Sequence, residues 1–548
     1  MSEINVVKME YLKNSKMAAN NSCENVTRNN AHQGAFWSWH SVRLQMAFLL
    51  SFSMTVHGLM RGNLSMALVC MIPPLASNKS QPLDVVADHI TDLQVYWDAS
   101  SISFMHAAFY AGTFFAVLIA HKGSQMVGAK DIISYSVLTI FVCTWAVPFV
   151  VYFLPHYLFT SAIRFFMGFA QGFFIPCASL MIAKWYAESE KSTAMAIFTT
   201  GNQLGLSLAM FLTAELCKVP FLGGWPTSFF LYGLIGAVFL CVWCPLAADK
   251  PRDSKRITAV ELAHIEGVGV KRLAISVISK TPYKQILLSP VVLSLNLCGF
   301  CQSFVLVSMI SYLPEFNKAV LGLQLSANGK WSSLPFAIQV FSKVLFAFIA
   351  DSMKTRGFSV NSVTKLFNGI ACFGCGFCML MVSISSDGSV ILTFLCLGLS
   401  LTSGYVAGYY TSIVCVAPTY TAAISAYNQV FSQFASIIAP IIIGHVTQKS
   451  DINAWSLVFQ ILVVILLVSG LTFQLFGSAN IQPWAQLGLT SFPPNSSNHM
   501  TPTDKQLDVS EEQKLLSDQG NLVNQQEMNT VLLLDEEVEN SKSDSCRT

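Results

Sequence analysis

RFFMGFAQGFFIPCASLMIAKW, Arg164–Trp185, is apolar enough to lie in a bilayer, yet it opens on a permanent cation. Gly168 stands four residues after Arg164 and Gln171 seven after it, so the three share one helical face. Gly168 and Gly172 strip side chains from that face, which lets a ligand or a neighbouring helix approach the backbone. Pro176 removes a helix hydrogen bond and is expected to bend the segment. Ionisable residues inside a membrane are expensive and are functional by default. The stretch therefore reads as a transmembrane helix that meets something anionic.

The rest of the 548-residue chain agrees with a membrane reading. Hydrophobic residues make up 53% and charged residues only 11%, against about 25% charged in ordinary soluble domains. The apolar residues fall in blocks of about 20, the length that crosses a bilayer. Net charge is +2, with no basic field that would suit nucleic acid. The fold expected is an all-α membrane protein of twelve transmembrane helices. They run near 44–72, 100–120, 131–151, 157–183, 193–215, 226–248, 288–313, 332–350, 363–384, 389–411, 422–446 and 455–477. Two six-helix bundles, 44–248 and 286–477, are separated by a polar connector, 249–285. A polar segment, 1–43, precedes them and a polar tail, 478–548, follows.

Lysine and arginine placement orients the chain. The N-terminal segment, the connector between spans two and three, the central connector and the 8–9 connection hold most of them, including Arg43, Lys130, Arg256 and Lys354. The opposite loops show scattered lysines such as Lys79, Lys318 and Lys330. Both termini are thus expected in the cytoplasm. Asn78-Lys79-Ser80, in the largest opposite loop, is a candidate glycosylation site. The Asn63 triplet lies inside span one and is expected to be silent. Fifteen cysteines, several at CxxC spacing within apolar blocks, read as small packing residues rather than zinc ligands. With Cys217 alone near an opposite loop, no disulfide framework is expected.

Other polar residues in the spans extend the theme. His57, Arg61 and Ser65 stand four apart in span one, His106 lies in span two, and Lys343 in span eight. Two guanidiniums on facing helices suggest an anion site, because arginine grips carboxylate or phosphate bidentately and keeps its proton. The competing reading is structural, with arginine paired to carbonyls or to an acid at a helix end. His106 reads equally as packing or as a proton carrier. His57 reads as packing, and Lys343 as a side chain reaching for the interface.

Short motifs also carry a resemblance. LMRGNLSMALVCM in span one, WDASSISFMHAAFYAG at span two, the Arg164 stretch continued to Ser192, and ADKPRDSKRITAVELAHIE in the connector are similar to the anion–cation symporter family. So are SYLPEF, SSLPFA, VAPTYTAAISAYNQ and SANIQPWA, in that order. This branch of the major facilitator superfamily includes sialin, vesicular glutamate transporters and type I sodium–phosphate cotransporters. The resemblance implies that Arg61 and Arg164 match the family arginines and His106 the histidine implicated in proton coupling. Gln171 stands where sialin and the glutamate transporters have an acid, as in the type I members. Gln302 occupies the position of a span-seven arginine in glutamate transporters, and Cys415 that of an aspartate before span eleven.

The function expected is secondary active transport of small organic or inorganic anions by alternating access. The driving force would be an H+ or Na+ gradient or the membrane potential. Substrate would be bound by Arg61, Arg164, Gln171 and Gln302, with Tyr405 and Tyr409 as further neutral donors. No cofactor and no metal are implied. The alternative is a transporter-derived anion sensor or scaffold without turnover. An intramembrane enzyme would need a nucleophile–base pair or metal cluster, and no HExxH or GxSxG occurs. In the tail, Glu511 precedes Leu515 and Leu516 at acidic-dileucine spacing, a candidate address for sorting adaptors to an endolysosomal or vesicular membrane, with the plasma membrane as the alternative.

Overall fold

In lipid, backbone N–H and C=O groups must find partners within their own segment, and a helix achieves this. The computed structural model describes residues 41–72, 95–267, 282–449 and 452–486, and among them there are helices and no strand. Asn78, Glu511, Leu515 and Leu516 lie outside the described residues. The first six long helices are α1 (Val42–Met71), α2 (Ala99–Met126), α3 (Ala129–Phe153), α4 (Tyr157–Trp185), α5 (Glu188–Leu216) and α6 (Pro226–Leu246). The second six are α7 (Pro290–Ala319), α8 (Leu325–Thr355), α9 (Val360–Ile384), α10 (Gly388–Val416), α11 (Thr421–Val446) and α12 (Ile452–Phe476). Beyond Gln482, the described residues form one short helix, Pro483–Gln486.

Eleven of these segments are long and apolar enough to cross a membrane. The exception is α1, which has the length, 30 residues, but carries Ser51, Ser53, Thr55, His57, Arg61, Asn63 and Ser65. Most of α1 is buried among α5, α6 and α7, so it needs no uniformly apolar surface. α8 begins at Leu325, earlier than the apolar run suggests, which places Lys330 in a helix rather than a loop. Lys318 likewise falls within the last turn of α7. A helix continues past the hydrocarbon edge where its polar turns find partners, and hydropathy does not report that.

The glycines of the Arg164 stretch serve a neighbouring helix. A Cβ on Gly168 would run into the Phe109 carbonyl of α2, and one on Gly172 would lie 2.6 Å from the Ala116 Cβ and 2.7 Å from the Thr113 oxygen. The approach is sealed by Thr113 Oγ1 donating to the Gly168 carbonyl at 3.1 Å. α1 and α5 pack in the same manner, with Gly58, Gly201 and Gly205 at backbone-to-backbone contact. Small residues at helix crossings are the usual way membrane helices gain close packing.

With twelve helices, α1 begins and α12 ends on the same side, called proximal here; the other end is distal. On the distal side, Cys70 at the end of α1 and Cys217 just after α5 form a disulfide, with Cα atoms 6.5 Å apart. This corrects the expectation of no disulfide. Cys70 looked intramembrane in sequence, but the α1–α5 packing carries it to the same level as Cys217. Asn63 is buried below this bridge, where its Oδ1 accepts from Thr213 Oγ1 at 2.9 Å and Ser228 Oγ at 2.8 Å.

The two sets of six helices also meet distally. Lys318 Nζ of α7 donates to the carbonyls of Val69 and Ile72 at the end of α1, at 2.8 and 3.0 Å. Ser326 of α8 donates to Glu215 of α5, and Gln448 Nε2, just past α11, to Ser100 Oγ of α2 at 2.5 Å. Asp98 caps α2 by accepting from Ser101, which holds its carboxyl below the usual carboxylate range. The proximal side holds bonds between the first set and its flanking segments. Arg43, fully buried, donates to both Glu190 oxygens at 2.7 and 2.6 Å, and Glu261 of the connector lies 3.5 Å away. Ser41 Oγ adds a 2.6 Å bond to Glu261.

Gly168→Leu should cost at least the ~1–3 kcal/mol of core overpacking. It is expected to lower Tm and spoil monodispersity, whereas Gly376→Ala, whose added Cβ meets nothing nearer than 3.6 Å, should be neutral. Cys70→Ala should expose Cys217 to a membrane-impermeant maleimide from the distal face alone, a labelling the wild type resists until reduced.

Candidate functional site

Two helices at corresponding positions of the two sets, α4 and α10, are broken. α4 is interrupted at Phe173, between Tyr157–Gly172 and Phe174–Trp185. The cause lies at Pro176: it has no N–H for a carbonyl four residues back, and that carbonyl is Gly172's. α10 widens over Val406–Tyr410, where Gly408 takes ψ −116° and its missing side chain lets it lie against the Asn368 backbone of α9. Paired interruptions at equivalent places in two repeats are a pointer to a transporter's binding site. Gln171 lies beside the first break and Tyr409 within the second.

Arg164 sits seven residues into α4 from its distal end, about 10 Å deep. It is 3% exposed. Its guanidinium lies over the Phe109 ring of α2, 4.6 Å from the centroid, and its Nε has no hydrogen-bond partner. Arg61 is half-buried in the middle of α1. Its Nη2 donates to Asn202 Oδ1 of α5 at 2.8 Å, and its Nε also lacks a partner. Neither guanidinium pairs with a carboxylate among the described residues. The two lie within electrostatic reach of each other, and Tyr110 of α2 is within reach of both. The structure thus brings Arg61, Arg164 and Tyr110 together.

His106 is one helical turn before Tyr110 and 2% exposed, with its ring 5.7 Å from Tyr312 of α7. Its Nε2 is buried without a partner, and Arg164 is close enough to act on it. Gln171 is buried, and its amide makes no hydrogen bond with any described residue. From the second set, Gln302 Oε1 of α7 accepts the Tyr409 hydroxyl at 2.5 Å. Twelve residues into α7 from the proximal end, Gln302 is at mid-depth, and it makes no hydrogen bond to either arginine.

Tyr405 departs from its expected role as a donor. It is fully buried, and its hydroxyl is engaged by the thiols of Cys301 at 3.7 Å and Cys372 at 3.4 Å. The central CxxC thiols therefore belong to a packed polar seam with Asn368 and Ser469. Among the described residues no group of three His, Cys, Asp or Glu is arranged to hold a metal. His57 packs: it stacks on Phe174 at 4.0 Å and bonds the Ser53 carbonyl at 2.8 Å and Ser136 at 3.3 Å. Lys343 is half-buried with no acid partner among the described residues. Asn202 and Tyr110 escaped the sequence reading. The available signal was a polar pair, Asn202-Gln203, between two glycines of span five, and a tyrosine four residues after His106.

Comparison with known proteins identifies the family. Residues 50–440 match the Major Facilitator Superfamily. The transporter slc-17.3 of Caenorhabditis elegans is 28% identical over 74% of this chain and 75% of its own. A putative inorganic phosphate cotransporter of Drosophila melanogaster is 24% identical over 81% of this chain and 86% of its own. Human sialin is 24% identical over 81% and 91%. Among solved structures, a bacterial homolog of the human lysosomal transporter Spinster, inward-facing and unoccupied, superposes with TM-score 0.60 at 15% identity, covering 81% of this chain and 99% of that one. The chain belongs to the Major Facilitator Superfamily, as a multi-pass secondary transporter related to the sialin and phosphate cotransporter branch.

Proposed function

We propose that this transporter carries small anions, bound between the helix sets 44–248 and 286–477 on Arg61 and Arg164. The observation that carries the reading is the pair of guanidiniums with no carboxylate partner among the described residues. An unpaired charge in a low-dielectric interior costs several kcal/mol, and a ligand of opposite sign offsets that cost. The planar fork of each suits a carboxylate or a phosphate-like oxyanion. Relatives named for inorganic phosphate and as sialin support the same ligand chemistry.

Gln171 offers neutral hydrogen bonding where relatives place an acid, and Gln302 with Tyr409 offers a polar lining from the second set. Alternating access would rock the two sets about this site. The distal bonds of Lys318, Ser326 and Gln448 would be broken and remade once per cycle, so the structure corresponds to a state closed distally. With both termini in the cytoplasm, the distal side is the luminal or extracellular one. The Cys70–Cys217 bridge supports this orientation, because disulfides persist on oxidising luminal or extracellular faces. His106, with its unpartnered Nε2, is the group proposed for H+ coupling. An anion moving without a proton would instead draw about 2.3 kcal/mol per charge per 100 mV from the membrane potential. An endolysosomal or vesicular address is proposed for the tail, read by adaptors at Glu511, Leu515 and Leu516.

Uptake should be measured in proteoliposomes with a panel of inorganic phosphate, glutamate, glucuronate and urate, imposing pH gradient and voltage separately. Arg61→Ala and Arg164→Ala should each reduce uptake at least 100-fold, in keeping with the ~2–5 kcal/mol lost when one partner of a desolvated charge pair is removed. Lysine at either position should restore less than a tenth, since an ammonium cannot make the fork. Wild-type flux in Arg164→Ala at equal protein would show that arginine to be structural. Gln171→Glu adds a titratable acid one face-turn from Arg164 and should make uptake steeply pH-dependent. A flat pH profile in that variant would remove Gln171 from the site.

A further inference from the structure

The backbone contact between α1 and α5 sets one side chain against the anion site. Gly58 of α1 lies against Gly205, and Gly201 against the Ser51 carbonyl, so the two helices approach too closely for a long side chain between them. Asn202 follows Gly201 on this contact, and a Cβ at Gly58 would lie 3.2 Å from the Asn202 carbonyl. Its short amide therefore reaches Arg61, with Oδ1 2.8 Å from Nη2. This is the one hydrogen bond of the Arg61 side chain among the described residues. Arg164 is held comparably by a neutral group, the Phe109 ring.

We infer that Asn202 is a positioning residue for anion binding: its amide oxygen orients the Arg61 guanidinium while leaving its charge uncompensated. The inference rests on Arg61 being part of the anion site. A carboxylate in the same place would hold the guanidinium equally well in geometry, but it would cancel the charge the substrate needs. A charged hydrogen bond to a neutral oxygen keeps the fork fixed, and the remaining N–H groups stay available for the ligand. The geometry also explains why a polar residue sits among the glycines of this crossing, where packing alone would favour a small apolar one.

The test uses full-length protein in proteoliposomes and the same four-anion panel, with Asn202→Asp, Asn202→Ala and Asn202→Ser at matched incorporation. Asn202→Asp is nearly isosteric but supplies a carboxylate to Arg61, so KM should rise at least tenfold. Asn202→Ala should raise KM three- to tenfold with kcat nearly kept, and Asn202→Ser, which retains an acceptor, should fall between Ala and wild type. A merely structural asparagine would lower the folded amount and leave KM unchanged. Thermal unfolding of the purified variants gives a second readout without substrate: Asn202→Asp should raise Tm by pairing an otherwise unpaired charge, and Asn202→Ala should not. Wild-type KM in Asn202→Asp, or a Tm below that of Asn202→Ala, overturns the inference. If Arg61→Ala keeps wild-type KM as well, or no anion of the panel is taken up, the anion-site reading itself fails. The Tm comparison then still decides whether Asn202 and Arg61 interact.

Discussion

Two guanidiniums held inside a helix bundle with no carboxylate partner among the described residues are the constraint around which this protein is organised. Arg61 and Arg164 cannot shed their protons, so each remains a charge in a poorly solvating interior. Folding alone would favour pairing each with an acid or replacing it by an apolar residue. Instead, Arg61 is held by an amide and Arg164 lies against an aromatic face. Both partners fix direction and leave the charge in place. Under the proposed function, such a site is completed by an anion that arrives and leaves.

The scaffold follows from that requirement. Arg61 needs a helix that is polar inside a membrane, and α1 tolerates this because α5, α6 and α7 sheathe it. Arg164 and Phe109 meet because glycines at α2 and α4 bring the two backbones into contact. Pro176 leaves the Gly172 carbonyl of the first set without its helical donor, and the turn around Gly408 widens α10 in the second. Distal bonds made by Lys318, Ser326 and Gln448 join the two sets beside the close approaches of Gly329 to Ala214 and Gly444 to Ser103.

Much of the fold was legible because hydropathy and backbone satisfaction are local properties. The twelve helices, the bend around Pro176 and the packing role of His57 all follow from residues close in sequence. Span one was readable only by its length and its repeated polar positions, since its apolar density falls short. Cys70–Cys217 was not legible, because two cysteines 147 residues apart are brought level only by the way α1 lies on α5. The same holds for the Arg43–Glu190 pair and its Glu261 neighbour: Arg43 alone reads as one more cytoplasmic positive charge. In the site, intramembrane charge singled out Arg61, Arg164 and His106. Their neutral partners Asn202, Phe109 and Tyr110 carry no signal that distinguishes them from ordinary helix residues. Tyr405 was misjudged for the related reason that a tyrosine's depth does not reveal whether its hydroxyl faces a ligand or two thiols.

The two arginines are proposed to receive the anion between them. The most direct measurement is a structure of the full-length protein determined with a saturating concentration of the anion it transports. Density for that anion is expected within hydrogen-bond reach of both the Arg61 and Arg164 guanidiniums, with the Asn202–Arg61 bond retained. Anion density elsewhere in the molecule, with either guanidinium found paired to a carboxylate, would contradict it.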